Sequence, residues 1–163
     1  MKKVSLCISY LLLLSATISA APRKGDARTL RGVLEVQVIC ENLSPDARLA
    51  GVTRDHLETV IENRLRRAGV GIVDDIQAAK RRVPSLYVAV NVSSVIGENS
   101  FIYSYRVALY EAATLARDPN LIVMAECWQD GGYGIVGARK ATSILTHVEE
   151  CLGRFTDDLV ASH

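Results

Sequence analysis

The residues whose types and spacing come nearest to recognisable chemistry lie between Gly131 and Cys151. Gly132, Gly134 and Gly137 spell G-x-G-x-x-G after one apolar segment and before another, with Arg139 and Lys140 close behind. In a βαβ unit that spacing brings backbone amides against a pyrophosphate. Here the preceding segment belongs to a run of alternating strands. The acidic residues about 20 positions further on, Asp157 and Asp158, fall in a helical pattern rather than at a strand end. Gly137-Ala138-Arg139-Lys140 also lacks the Gly-Lys-Ser/Thr of a P-loop. The stretch reads as a glycine-rich connector. The ligand chemistry left to it is that of an anion held by Arg139, Lys140 and the amides before Thr142, at a helix N-terminus.

Other reactive residues give less. His147 and Cys151 are four apart on one helical face, a spacing open to a thiol–imidazole dyad or two metal ligands. Cys151 falls on the apolar stripe, however, and a structural zinc wants four ligands where the chain has three histidines. No G-x-S-x-G elbow occurs. Asp74-Asp75, Glu149-Glu150 and Asp157-Asp158 are sequence neighbours whose side chains diverge, so they read as solvated charge. No catalytic residue, metal or cofactor is expected. Cys40, Cys127 and Cys151 all fall on inward positions of their elements. They read as three buried thiols, or as one disulfide joining Cys151 to Cys127 or to Cys40.

The elements that must position these residues follow from periodicity. Residues 85–130 hold three alternating segments, SLYVAVNVSSVI, FIYSYRVALYEAATL and LIVMAECWQD, separated by GENS and ARDPN. That is a three-stranded antiparallel meander. With GENS as the turn, Val88 meets Leu109, Val90 meets Val107 and Val92 meets Tyr105 on an apolar face. Tyr87 then meets Tyr110 and Asn91 meets Arg106 on the other. In the third segment Val123, Ala125 and Cys127 join the apolar face, and Ile122, Met124, Glu126 and Trp128 the opposite one. Before the meander, Leu34, Val36, Val38 and Cys40 alternate as a half-buried strand. A loop, ENLSPDARLAG, leads to a helix capped by Thr53 and closed by Gly69 in the left-handed conformation. GIVDD is a short strand and QAAKRRVP a basic loop. A second helix from Thr142 carries Ile144, Leu145, Val148, Cys151, Leu152, Phe155 and Leu159. The sum is an α+β fold: a two-layer sandwich, with a mixed sheet containing the meander and two helices on one face.

The N-terminus reads as a secretory signal peptide. Lys2 and Lys3 precede an apolar run, and small residues lead to Ala20-Ala21. Residues 1–21 are expected to be removed, 22–31 to form a flexible arm and 32–163 to form a single domain. Export from a bacterial cell, to the periplasm or outside, follows, with no membrane span after cleavage. The mature chain then holds 17 basic and 18 acidic side chains. That near-neutrality argues against a nucleic-acid partner bound through its phosphates.

LETVIENRLRRAGVGIVDD, a helix ending in glycine and running into a short strand before long antiparallel strands, resembles small periplasmic α/β domains such as the TolB N-terminal domain. The resemblance implies a cell-envelope accessory role rather than catalysis.

Two readings of function follow. In the first, the sheet face away from the helices binds a protein partner or a second copy. Tyr87, Tyr110 and Trp128 form its aromatic centre, Asn91, Arg106, Glu126 and Asp130 its rim, and Ile102, Ile122 and Met124 its extension. In the second, the Gly131–Gly137 loop with Arg139 and Lys140 binds a small anion or serves an enzyme.

Overall fold

The computed structural model of the chain describes residues 27–163. The expected signal peptide and the first part of the arm lie outside them. The remainder of the arm is docked. Ala27–Leu30 form a 3-10 turn that buries Leu30, and the Thr29 hydroxyl donates to the Cys127 carbonyl at 2.7 Å.

The fold is an α+β sandwich on one five-stranded mixed sheet. Strands β1 (Glu35–Cys40), β2 (Gly71–Val73), β3 (Ser85–Ser94), β4 (Ser100–Leu115) and β5 (Asp118–Gly137) lie in the order β2-β1-β3-β4-β5. β1 is parallel to both neighbours, and β3, β4 and β5 form the antiparallel meander. Helices α2 (Arg54–Arg67) and α4 (Ser143–Ala161) cover one face. Leu57, Ile61 and Leu65 of α2 and Ile144, Val148, Leu152 and Phe155 of α4 are buried there against Val36, Val88, Val107 and Leu109. Thr53 caps α2 by accepting from the His56 amide, and Gly69 closes it with φ +76°.

Two segments expected as loops are helical. Pro45–Leu49 form α1, whose cap Ser44 accepts from the Ala47 amide and whose first residue is proline. Asp75–Arg81 form α3, capped by Asp74. Asp75 accepts from Gln37 and Arg81 pairs with Glu35. Glu35 and Gln37 alternate with the buried Val36, so α3 lies on the sheet face opposite α2 and α4, at the β1 end.

The β3–β4 register is offset by two residues from expectation. Leu86, not Val88, is opposite Leu109, and Val88 is opposite Val107. The hairpin loop is Ile96–Asn99, closed by the Val95 amide donating to the Ser100 carbonyl at 3.0 Å. A two-residue offset preserves the alternation of faces, so both sides of β3 and β4 keep their expected membership.

β5 departs further. It runs through the whole glycine-rich stretch and pairs with β4 as far as Gly137 opposite Ser100. It also carries a β-bulge. Tyr110 is opposite Glu126 and Leu109 opposite Trp128, which leaves Cys127 without a partner on β4. Before the bulge Val123 and Ala125 point inward. After it Trp128 and Asp130 do. Trp128 is accordingly 0% exposed rather than on the open face. It packs edge-on against Phe155, with centroids 5.1 Å apart, and donates to Asp158 at 2.9 Å.

Gly131 and the two glycines after it are explained by what lies over them. A Cβ on Gly131 would fall 2.3 Å from the Tyr105 carbonyl oxygen, and the rings of Tyr105 and Tyr103 occupy the space above Gly132 and Gly134. Gly153, inside α4, leaves room for the Arg64 guanidinium of α2, which donates to Thr156 at 3.2 Å.

Trp128→Ala is expected to lower stability by about 3–5 kcal/mol, the cost of emptying a large aromatic site in a core. Urea unfolding followed by circular dichroism measures it. A loss below about 1 kcal/mol would contradict full burial of the indole.

Candidate functional site: the open face of the sheet

The face opposite α2 and α4 is built by alternate residues of β3, β4 and β5. Tyr87 and Tyr110 meet edge-on at 6.3 Å, diagonally rather than as direct cross-strand partners. Tyr110 donates to Glu126 at 3.1 Å, and Glu126 also takes the Arg106 guanidinium. Arg106 Nε donates to Gln129 at 3.2 Å. Asn91 is exposed opposite Ser104. Five of the seven residues expected at the centre and rim of this surface are therefore on it: Tyr87, Asn91, Arg106, Tyr110 and Glu126. Trp128 is not, because the bulge turns it inward, and the same parity change takes Asp130 away from the rim.

The bulge supplies replacements. Tyr133 and Ile135 point outward and are 66% and 67% exposed. Their signal was legible in Gly132-Tyr133-Gly134-Ile135, where small and large residues alternate with period two. Ile102, opposite Ile135, is 51% exposed. Ile122 and Met124, at 52% and 61%, stand on an arm. Along β4 the pairing with β3 stops at Tyr110, whereas β4 and β5 stay paired through Glu111–Ala125 to Leu115–Asp118. That two-stranded ribbon reaches about 17 Å past the end of β3, at about 3.3 Å per residue.

The sequence also raised a ligand-binding loop, and the structure has none at that place. Gly132, Gly134 and Gly137 belong to β5 and pair with β4. Arg139 and Lys140 stand exposed on a 3-10 turn after the strand. Beside Gly131 a groove of about 220 Å³ is lined by Tyr105, Arg106 and Gln129–Tyr133. Ligand pockets run to roughly 300–1,000 Å³.

The thiols do not pair. Cys40, Cys127 and Cys151 are all free, so of the two readings the structure has the unpaired thiols and not a disulfide between Cys151 and Cys127 or Cys40. Cys151 lies beside Asp130 and Arg154. Burial pushes its thiol up to about 12, with Asp130 adding to the rise and Arg154 opposing it. Burial likewise lifts Cys40 to about 11, with Glu58 adding and Arg54 opposing. Both are protonated at neutral pH and are poor nucleophiles. His147 stacks on Tyr103 and Tyr105, at 5.8 and 6.2 Å between centroids. Asp130, with only 2% of its side chain exposed, is neutralised by Arg154 and accepts from the Gly131 amide at 2.8 Å. Among the described residues no group of three His, Cys, Asp or Glu is placed to hold a metal, and no helix is long and apolar enough to cross a membrane.

No protein-family model and no curated protein matches the chain. Solved structures similar to it include two PelC dodecamers from Paraburkholderia phytofirmans. One, a point variant of PelC in space group C2, aligns with a TM-score of 0.49 and 16% identity, over 86% of this chain and 98% of that one. The other, in space group P6, aligns with a TM-score of 0.45 and 17% identity, over 88% and 98%.

Two outcomes follow from the buried groups. Arg154→Ala leaves Asp130 buried without its cation and is expected to cost about 3 kcal/mol in urea unfolding, with Asp130→Asn in the same chain recovering part of it. The raised Cys151 thiol predicts a specific alkaline weakness. Folded Cys151 keeps its proton above its ordinary value of 9.0, where the unfolded thiol loses it. Its contribution is complete below that value and drains away as pH rises toward about 12. The urea midpoint of the native chain should therefore fall between about pH 8 and about pH 10.5, and fall less in Cys151→Ala. Parallel slopes in the two proteins would refute this.

Proposed function

We propose that this chain is an exported, non-catalytic accessory protein that works by protein–protein contact through the open face of its sheet. One observation carries the reading. Five large side chains, Ile102, Ile122, Met124, Tyr133 and Ile135, are each more than half exposed on that face, and no described element covers them. Exposed apolar side chains grouped on one face and rimmed by polar ones mark interaction sites. The composition agrees, with tyrosines and an arginine beside aliphatic side chains and few lysines or acids. Export is supported by the Lys2-Lys3 and apolar N-terminal pattern. The resemblance to small periplasmic domains supports an envelope accessory role. The buried, protonated thiols support packing rather than attack.

Ile135→Lys and Met124→Lys are the variants that test it. Both sites are exposed strand positions, so the melting temperature should stay close to that of the native chain. Association, read by light scattering after size exclusion and by cross-linking in the cell envelope, should be lost. Unchanged association in both variants would remove the open face as the working surface.

A further inference from the structure

The apolar side chains of the open face form two groups, at opposite ends of the β4–β5 ribbon, with a polar band between them. The ladder fixes their spacing. Ile122 is level with Thr114, Met124 with Ala112, Glu126 with Tyr110 and Gln129 with Ala108. Arg106 is level with Gly131, Tyr133 with Ser104 and Ile135 with Ile102. Along β4 the outward positions thus run from Ile102 to Thr114 with Ala108 at the centre. Reversing the strand direction about that centre exchanges the Ile122 level with the Ile135 level and the Met124 level with the Tyr133 level. It exchanges Glu126 with Arg106, and leaves Gln129 in place.

Resting on the docking reading above, we propose that the occupant of this face is a second copy of the chain. The two copies pack open face to open face, strands antiparallel, about a two-fold axis that crosses the strands at Gln129. Such an interface is isologous, each patch meeting its complement twice. The arm of each copy lays Ile122 and Met124 over the end of the other sheet, against the partner's Ile135 and the partner's Tyr133. Across the centre Arg106 lies over the partner's Tyr110, level with the partner's Glu126 on the neighbouring strand, so that like charges do not meet.

The area suits a stable interface. The five apolar and aromatic side chains, each more than half exposed, offer roughly 600 Å², against about 800 Å² per partner in a stable interface, and Tyr87, Tyr110, Arg106 and Gln129 extend the contact. Facing sheets pack with strands within about 30° of one another, which keeps β4 and β5 over their own copies. The arm also gains from it, because a two-stranded ribbon is marginal alone in water.

The test uses the full mature chain. In facing sheets about 10 Å apart, cysteines introduced at Gln129 in both copies come within reach of a short bis-maleimide. Gln129→Cys should cross-link to itself in high yield, well above the native chain with its half-buried Cys127. Ile122→Cys and Ile135→Cys should each cross-link poorly alone and efficiently when mixed. Light scattering on the native chain should report a dimer. A dimer in which Gln129→Cys does not cross-link, or in which Ile122→Cys links to itself, overturns the two-fold arrangement. A native monomer that still loses its envelope cross-links on Ile135→Lys substitution overturns self-pairing and leaves the face as a docking surface for a different protein. A native monomer whose cross-links survive Ile135→Lys and Met124→Lys overturns both.

Discussion

Between the pairs Tyr110–Glu126 and Leu109–Trp128, strand β5 carries one residue, Cys127, that β4 does not match. A strand has period two, so a single unmatched residue exchanges the two faces for everything beyond it. On the core side that exchange brings in Trp128, Asp130, Gly132 and Gly134. On the open side it sends out Gln129, Tyr133 and Ile135. Without the bulge Asp130 would face the open side, Tyr133 and Ile135 would turn toward the core, and Trp128 would leave its place against Phe155. The Thr29 hydroxyl bonds the Cys127 carbonyl, so the segment leading into β1 holds the bulge from the sheet's edge.

The inward side chains after the bulge fasten α4 to the sheet. Trp128 reaches Asp158 and Asp130 reaches Arg154, so consecutive inward positions of β5 each take one polar contact from the helix. Asp130 is the costlier, since a buried carboxylate must be neutralised and bonded. Arg154 and the Gly131 amide do both. Further along, the tyrosines of β4 lie where β5 has no side chains, and His147 completes the stack. The glycines are there because the rings need the volume. A phosphate-binding loop and a strand roofed by tyrosines spell the same letters, and only the ladder with β4 separates them.

The architecture was legible in the sequence where one periodicity ran uninterrupted. The apolar stripes of α2 and α4, the Thr53 cap, Gly69 and the meander all follow from spacing alone. Tyr87, Arg106, Tyr110 and Glu126 fell on the open face despite a register two residues out, because an even offset preserves the faces. What failed failed locally. α1 had its signals, Ser44 as cap and Pro45 in the first turn, but five residues are too few for an apolar stripe. α3 contributes only Ala78 to the buried residues, so its helix is written in the Asp74 cap and not in hydrophobicity. The bulge has no single-residue signature. Its trace is global: only a parity change after Glu126 puts both Trp128 and the glycines where they can be buried.

That the face stays open follows from how the helices are placed. α2 and α4 cover the same side, and α3 crosses to the other but reaches only Glu35 and Gln37 of β1. Nothing described extends over β4 and β5, which are also the longest strands. A chain of this length had residues enough to end β4 at Tyr110, level with the start of β3. It carries the ladder on through Glu111 to Leu115, with Ile122 and Met124 on the outer side. The inner side of that ribbon is half-buried at Ala113, Val123 and Ala125, while its outer side is uncovered within its own copy. Exposed aliphatic side chains on such a ribbon, and their counterparts at the far end of the same strands, share one rationale under the proposed reading, in which another molecule supplies the second layer of this part of the sandwich.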